Sequence, residues 1–128
     1  MKERAEELRA EKGGRKKADN LQALLDKIAE MPDGDRQIAV ALHQVVSEVA
    51  PDLAPRLWYG MPAYERDGKV LVFLQPAEKF ETRYSTLGFN DVASLDDGDM
   101  WATSFAVPAM TPAVKKQMTA LVTKAVRA

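Results

Sequence analysis

Apolar residues in the first part of the chain recur at helical spacing. Asp19 and Gln22 stand three residues apart, as the residues of a capping box do, so we predict that a helix begins there. The apolar stripe of this helix consists of Leu21, Leu24, Leu25 and Ile28. A second helix follows the segment "MPDGD", with Asp33 or Asp35 as its predicted N-cap, and ends at Pro51. Its stripe consists of Ile38, Leu42, Val45, Val46 and Val49.

The middle of the chain has the composition of a sheet. All nine aromatic residues lie within 58–105, and aromatic and β-branched side chains suit a pleated surface. The dipeptide Asp67-Gly68 predicts a tight hairpin turn between strands at 63–66 and 69–75, because such a turn needs positive φ at both central residues. The second of these strands is apolar on both faces, which predicts a central position in the sheet or cover on both faces.

Shorter patterns predict the remaining strands. The segment 57–59 opens the sheet region, and Gly60 and Pro62 then indicate a bend or bulge at a strand end. Large and polar residues alternate over 80–86, and large and small residues alternate over 101–107. Both alternations predict strands with one buried face.

The end of the chain predicts a third helix on the core. Thr111 is a favoured N-cap and Pro112 a favoured first helical residue. The core-facing positions of this helix are Val114, Met118, Leu121, Val122 and Ala125. Helices, then antiparallel strands, then a helix predict the α+β class. We expect an antiparallel sheet of four to five strands with the N-terminal and C-terminal helices packed on one face.

The charge pattern divides the chain into two parts. Residues 1–18 alternate acids and bases around Leu8, and "GGRKK" then interrupts the helical pattern. One leucine cannot offset the entropy lost on ordering such a segment, so we predict a charged, partly mobile helix and linker. Residues 19–128 are predicted to form one domain.

Composition excludes several classes of protein. The 128 residues carry a net charge of −1, so no overall field attracts nucleic acid or a membrane, and the bases of the last helix are expected to be solvated. The chain has no cysteine, which excludes disulfides, thiolate nucleophiles and cysteine-bound metals. The N-terminus is charged throughout, unlike a signal peptide. We expect a cytoplasmic protein with no obligatory cofactor.

Acid–base and nucleophilic catalysis lack their usual residues. His43 is the only histidine and falls outside the apolar stripe of its helix, so a surface histidine is the favoured interpretation. No cysteine and no G-x-S-x-G segment accompanies it as a nucleophile. Phosphate-binding loops are missing as well, because "EKGGRKK" lacks the required spacing. The sequence therefore predicts a protein that is not an enzyme.

Two groups of carboxylates are candidates for a hard cation. One group lies in the loop predicted over 87–99 and consists of Asp91, Asp96, Asp97 and Asp99. The other would share a ridge of the first helix and consists of Glu3, Glu7 and Glu11. Oxygen ligands suit such ions, but a solvated turn or a solvated helix face is the favoured interpretation of either group.

The aromatic residues are candidates for a binding surface. Trp58, Tyr59, Met61, Tyr64, Tyr84 and Trp101, with Phe73, could line a site for a small apolar ligand or a protein partner. The favoured interpretation is that they form the core of the small sheet, since each aromatic side chain buries a large area. A shallow surface site in addition to the core is the alternative.

Three segments in order carry a family resemblance. They are "LWYGMPAYERDGKVLVFLQ", "RYSTLGF" and "LDDGDMWATSFAV". From about Asp33 onward the chain resembles the YdhG-like domain family, largely a domain of unknown function. The resemblance implies a frataxin-like fold, and it implies for some members the role of an iron chaperone that delivers iron to iron–sulfur assembly. If the chain shares this role, the loop aspartates are the ligands to test first, and such open surface acids would bind Fe²⁺ weakly. A binding module that uses the aromatic surface around Trp58–Tyr64 is the alternative function.

Overall fold

The computed structural model describes the backbone of residues 2–127 and the side chains of residues 16–127. Within that part, three helices accompany one five-stranded antiparallel sheet. The elements are α1 (Lys2–Ala29), α2 (Asp33–Val49), β1 (Ala54–Trp58), β2 (Met61–Arg66), β3 (Lys69–Gln75), β4 (Ser85–Phe89), β5 (Ser104–Val107) and α3 (Pro112–Ala125). The predicted α+β class is confirmed. None of the helices within residues 2–127 has the length and apolar composition to cross a membrane.

Helix α1 is longer than the pattern predicted. It runs through Gly13 and Gly14 without a break, so the predicted helix start at Asp19 is wrong. Each glycine costs about 1 kcal/mol relative to alanine inside a helix, and the neighbouring lysine, alanine and glutamate residues are strong helix formers. Gln22 donates to Asp26 instead of completing a capping box. The mobility of residues 1–18 stays a prediction.

The ends of the other helices test two predicted caps. At α3 the Thr111 hydroxyl accepts from the Val114 amide at 3.1 Å and Pro112 is the first helical residue, so that cap is confirmed. At α2 the N-cap is Pro32, and no side chain caps the helix. Asp35 points instead toward the turn after β3, where it accepts from the Glu78 amide at 3.1 Å. Asp33 is the first helical residue, and its carboxylate pairs with Arg36 at 2.8 Å. The cap predicted at Asp33 or Asp35 is therefore wrong, since other contacts take both carboxylates.

Two-residue turns build the first three strands. Asp67 and Gly68 have φ of 52° and 79°, which confirms the predicted hairpin between β2 and β3. Tyr59 and Gly60 have φ of 52° and 75° and make a second turn of the same kind between β1 and β2. The bend or bulge predicted at Gly60 is therefore a hairpin turn, which needs two consecutive positive φ values.

The sheet order is β1-β2-β3-β4-β5, so β3 is central as predicted. The register of β2 and β3 shifts between Tyr64 and Glu65, which leaves Leu71 as an extra residue of a β-bulge. The strand predicted over 80–86 is wrong in position: residues 77–81 form a turn and β4 begins at Ser85. Glu81 has φ of 54° there, which an alternating strand does not allow.

The core lies between the helices and one face of the sheet. Strand residues that point to the helices include Tyr64, Val72, Leu74, Leu87 and Val107. They meet buried helix residues, among them Leu24, Ile38, Leu42, Met118 and Val122. Side chains of the alternate strand positions lie on the opposite face, which we call the outer face.

Candidate functional site

Aromatic rings gather on the outer face. Ala63 adjoins the core residue Tyr64 and therefore points outward, and its cross-strand partner Phe73 points outward with it. Trp58 pairs with Met61 on the same face. The Trp58 ring meets Phe73 edge-on with ring centroids 5.1 Å apart, and Tyr59 lies 5.2 Å from Trp58. We call Trp58, Tyr59 and Phe73 the aromatic surface.

Glycine at position 88 lets Phe73 lie flat on the sheet. Gly88 is the cross-strand partner of Phe73 on β4. A Cβ at Gly88 would lie 2.2 Å from Cζ of Phe73, well inside contact distance. The ring therefore occupies the space that a side chain at position 88 would need. This close approach fixes the ring that Trp58 packs against.

The structure separates the predicted aromatic residues. Met61 is 7% exposed and lies beside Trp58 as its cross-strand partner, so it is buried next to the aromatic surface. Tyr64 is 1% exposed and belongs to the core, not to this surface. Tyr84 is half-buried, with the Arg83 guanidinium 5.3 Å from its ring. Trp101 is 39% exposed and lies in the segment before β5. Ring contacts among the described side chains join neither Tyr84 nor Trp101 to the aromatic surface.

His43 forms a polar pair with Tyr64 that the sequence did not predict. The His43 side chain is half-buried, and its Nδ1 lies 2.9 Å from the Tyr64 hydroxyl. Burial lowers the pKa of His43 below 6.5 and raises the pKa of Tyr64 above its usual value. Both groups are therefore neutral at pH 7, and Nδ1 accepts from the Tyr64 hydroxyl when the imidazole proton is on Nε2.

The pair lies in a small cleft between the helices and β1. The cleft has a volume of about 240 Å³ and mostly apolar walls, which include Leu21, Val46 and Pro55. Ser47 also lines it, but its hydroxyl donates to the backbone carbonyl of His43 at 2.7 Å. The hydrogen bond between α2 and β2 thus stabilises the packing of this helix on the sheet.

We expect stability to fall as the pH is lowered from 7.5 to 5.5. The unfolded chain binds a proton at His43 more readily than the folded chain does, so the free energy of unfolding decreases below about pH 6.5. The decrease ends once the pH is below the folded-state pKa of His43. Urea unfolding of wild type and His43→Asn at several pH values measures this decrease in the free energy of unfolding. Because His43 is the only histidine, no other histidine contributes to the difference between the two proteins. Equal pH slopes for the two proteins would contradict the expectation.

The loop aspartates lie on the surface. Asp91 follows β4, while Asp96, Asp97 and Asp99 surround Gly98 in an exposed turn where Gly98 has φ of 68°. Among the side chains of residues 16–127, no three acidic or histidine groups are placed to hold a metal ion. The second predicted group, Glu3, Glu7 and Glu11, lies outside the side chains that the structure describes. Weak Fe²⁺ binding by the loop aspartates stays a prediction.

Comparison with known proteins adds no relative. No protein-family model, curated protein or solved structure matches the chain. The resemblance to the YdhG-like family therefore stays a prediction.

Proposed function

We propose that the protein is a non-enzymatic binding module that engages a partner protein through the aromatic surface. The observation that carries the proposal is the exposure of Tyr59, whose side chain is 78% exposed beside the packed rings of Trp58 and Phe73. A large aromatic side chain in this position leaves apolar area in water. Partner proteins bury such side chains at the centres of their interfaces.

The turn that carries Tyr59 supports this proposal. Tyr59 and Gly60 are the two central residues of a two-residue hairpin turn, so the backbone beneath the ring has little freedom. The neighbouring Trp58 ring restricts the side chain further. A ring that is already ordered loses little entropy on binding. This favours Tyr59 as the anchor of an interface.

Polar groups on the same face supply a rim. Arg56 pairs with Ala63 across the strands and therefore points outward, and its Nη1 lies 3.2 Å from Oε2 of Glu65. Interfaces commonly surround apolar anchors with such polar groups. A protein partner suits this side of a sheet better than a small molecule, because small-molecule sites are concave.

The resemblance and the charge extend the proposal. A net charge of −1 supports a partner that is another protein and neither nucleic acid nor a membrane. The absence of cysteine fits a cytoplasmic location, where disulfides are rare. The resemblance to YdhG-like proteins suggests iron–sulfur assembly as the setting, with Fe²⁺ as cargo on Asp91, Asp96, Asp97 and Asp99. Flexible surface acids bind such ions weakly.

Photo-crosslinking tests the aromatic surface. We expect a photo-reactive phenylalanine analogue at position 59, in cells that produce the protein, to yield a discrete adduct with one protein. Tyr59→Ala should then weaken binding of that purified partner about 30-fold, the size of a typical aromatic hot spot near 2 kcal/mol. Binding is measured by calorimetry.

Position 40 supplies the control for this experiment. Val40 is 40% exposed on α2, in the layer of helices on the other side of the sheet. The same analogue there should yield no such adduct, and Val40→Ser should leave the partner's affinity unchanged. Equal adducts at positions 40 and 59, or none at 59, would overturn the proposal.

A further inference from the structure

Strand β5 forms an open edge of the sheet, since no other strand within residues 2–127 pairs with its outer side. It is the last strand in the sheet order, whereas the opposite edge strand, β1, packs against α1. The Phe89 amide donates to the Thr103 carbonyl at 2.8 Å, so residues 103, 105 and 107 exchange hydrogen bonds with β4. The backbone N–H and C=O groups of Ser104 and Ala106 therefore point away from the sheet. Such groups are a template for another strand.

An apolar groove lies beside this edge. It has a volume of about 540 Å³ and separates β5 from α3. Its apolar walls are formed by Phe105 and Val107 from the strand and by Val114, Met118 and Leu121 from the helix. These helix residues are spaced three or four apart and form one stripe. An open strand edge next to an apolar helix stripe is the arrangement in which β-augmentation gains both backbone bonds and side-chain pockets.

We propose that this groove binds an extended peptide segment of a partner protein, which adds a sixth strand along β5 and carries acidic residues at its ends. The four residues of β5 span about 13 Å at 3.3 Å per residue, which matches a core of four to five peptide residues. Alternate peptide side chains would point into the groove, and these should be apolar. The residues between them lie beside Ser104 and Ala106 and need no large side chain.

The positive charge of α3 favours a peptide with acidic residues at its ends. Helix α3 contains no acidic residue and three lysines, Lys115, Lys116 and Lys124. Lys115 is turned toward α2, where its Nζ donates to Oε1 of Gln44 at 3.2 Å, so Lys116 and Lys124 supply the charge near the groove. Lys124 follows the groove residue Gln117 by seven positions, which places both on the same side of the helix. The charge also argues against a second copy of this chain. Pairing of two β5 edges would bring two α3 helices with like charges together, which is unfavourable.

Titration with a synthetic peptide tests the proposal. The probe is the nine-residue peptide Glu-Glu-Val-Thr-Val-Thr-Val-Glu-Glu, added to the isotopically labelled protein and followed by two-dimensional NMR. We expect saturable shifts at 104–107 and along the groove side of α3. A peptide with lysines in place of the four glutamates should bind about tenfold more weakly, and one with serines in place of the valines should not bind.

Two variants of β5 separate backbone pairing from other contacts. Ala106→Pro removes an outward N–H and leaves the bonds to β4 intact, and an edge strand tolerates proline there. Ala106→Pro should lower the affinity for the peptide about tenfold or more. Ser104→Ala keeps the outward N–H and C=O groups and should change the affinity less than twofold. Lys124→Glu reverses a charge on α3. It should lower the affinity for the acidic peptide and raise the affinity for the lysine peptide.

Several results would overturn the proposal. They are the absence of shifts at millimolar peptide, shifts confined to other elements, and equal affinity of Ala106→Pro and wild type. Sedimentation of the protein without peptide tests whether a second copy of the chain binds at the β5 edge instead. A dimer that Ala106→Pro dissociates would show that a second copy occupies the β5 edge.

Discussion

Tyr64→Ala should lower the free energy of unfolding by about 3–5 kcal/mol, the range measured for large aromatic residues in cores. Tyr64 is 1% exposed, its cross-strand partners are Pro55 on β1 and Val72 on β3, and its hydroxyl meets His43 of α2. The substitution leaves a cavity and also removes the hydrogen-bond partner of His43 Nδ1. An unpaired polar group adds to the loss, because the cleft only partly admits water. Urea unfolding followed by far-ultraviolet circular dichroism measures the change.

The same substitution at Tyr59 is the matched control. Tyr59 is 78% exposed, so Tyr59→Ala should change the free energy of unfolding by about 0.5 kcal/mol or less. The loss in the free energy of unfolding for Tyr64→Phe should lie between those for Tyr59→Ala and Tyr64→Ala, because this variant loses the hydroxyl and keeps the ring. Similar losses for Tyr59→Ala and Tyr64→Ala would contradict the division between core and aromatic surface.

Gly88→Ala should destabilise the protein by about 1–3 kcal/mol, the usual cost of forcing extra volume into a packed site. The new methyl group would overlap the Phe73 ring, which lies 2.2 Å from the position of the added Cβ. The ring must leave the sheet surface, and its edge-to-face contact with Trp58 is then lost. Loss of that contact should also change tryptophan fluorescence.

Gly34→Ala provides the control for this substitution. Gly34 lies in the first turn of α2 with no atom within 4 Å of an added Cβ, so alanine should be neutral or stabilising by up to about 1 kcal/mol. The double variant Phe73→Val/Gly88→Ala should be less destabilised than the sum of its single changes, because the smaller side chain makes room for the methyl. Strictly additive losses would show that Phe73 is not the obstacle.

Local signals in the sequence predicted much of the fold. The Asp67-Gly68 turn and the Thr111-Pro112 helix start depend on residues that are adjacent in the chain, and both were predicted correctly. The Tyr59-Gly60 turn was missed because tyrosine rarely adopts positive φ, so glycine alone carried the signal. The position of β4 was missed because the alternating residues over 80–86 predicted a strand, whereas residues 77–81, which include Glu81, form a turn.

The candidate sites depended on contacts that periodicity does not reveal. The sequence grouped Tyr59 and Tyr64 together, yet neighbouring strand positions point to opposite faces and only the register shows which face the helices cover. His43 lies beside the stripe of α2, and its partner is 21 residues away on β2. The groove at β5 could not be predicted from the sequence, because that requires knowing which strand forms the edge of the sheet. Composition and spacing contain none of these distances.

The order of the strands has a consequence for how the chain folds. Every ladder of the sheet joins strands that are consecutive in the sequence, and two of the four connections are two-residue turns. Hairpins of this kind form within about 1–10 μs, and chains rich in local contacts fold faster than those with distant strand pairs. The contacts of α3 with α2 close a much longer loop than these turns do, as does the bond from Arg66 to the Val126 carbonyl. We therefore expect the two hairpins to form before the last helix docks.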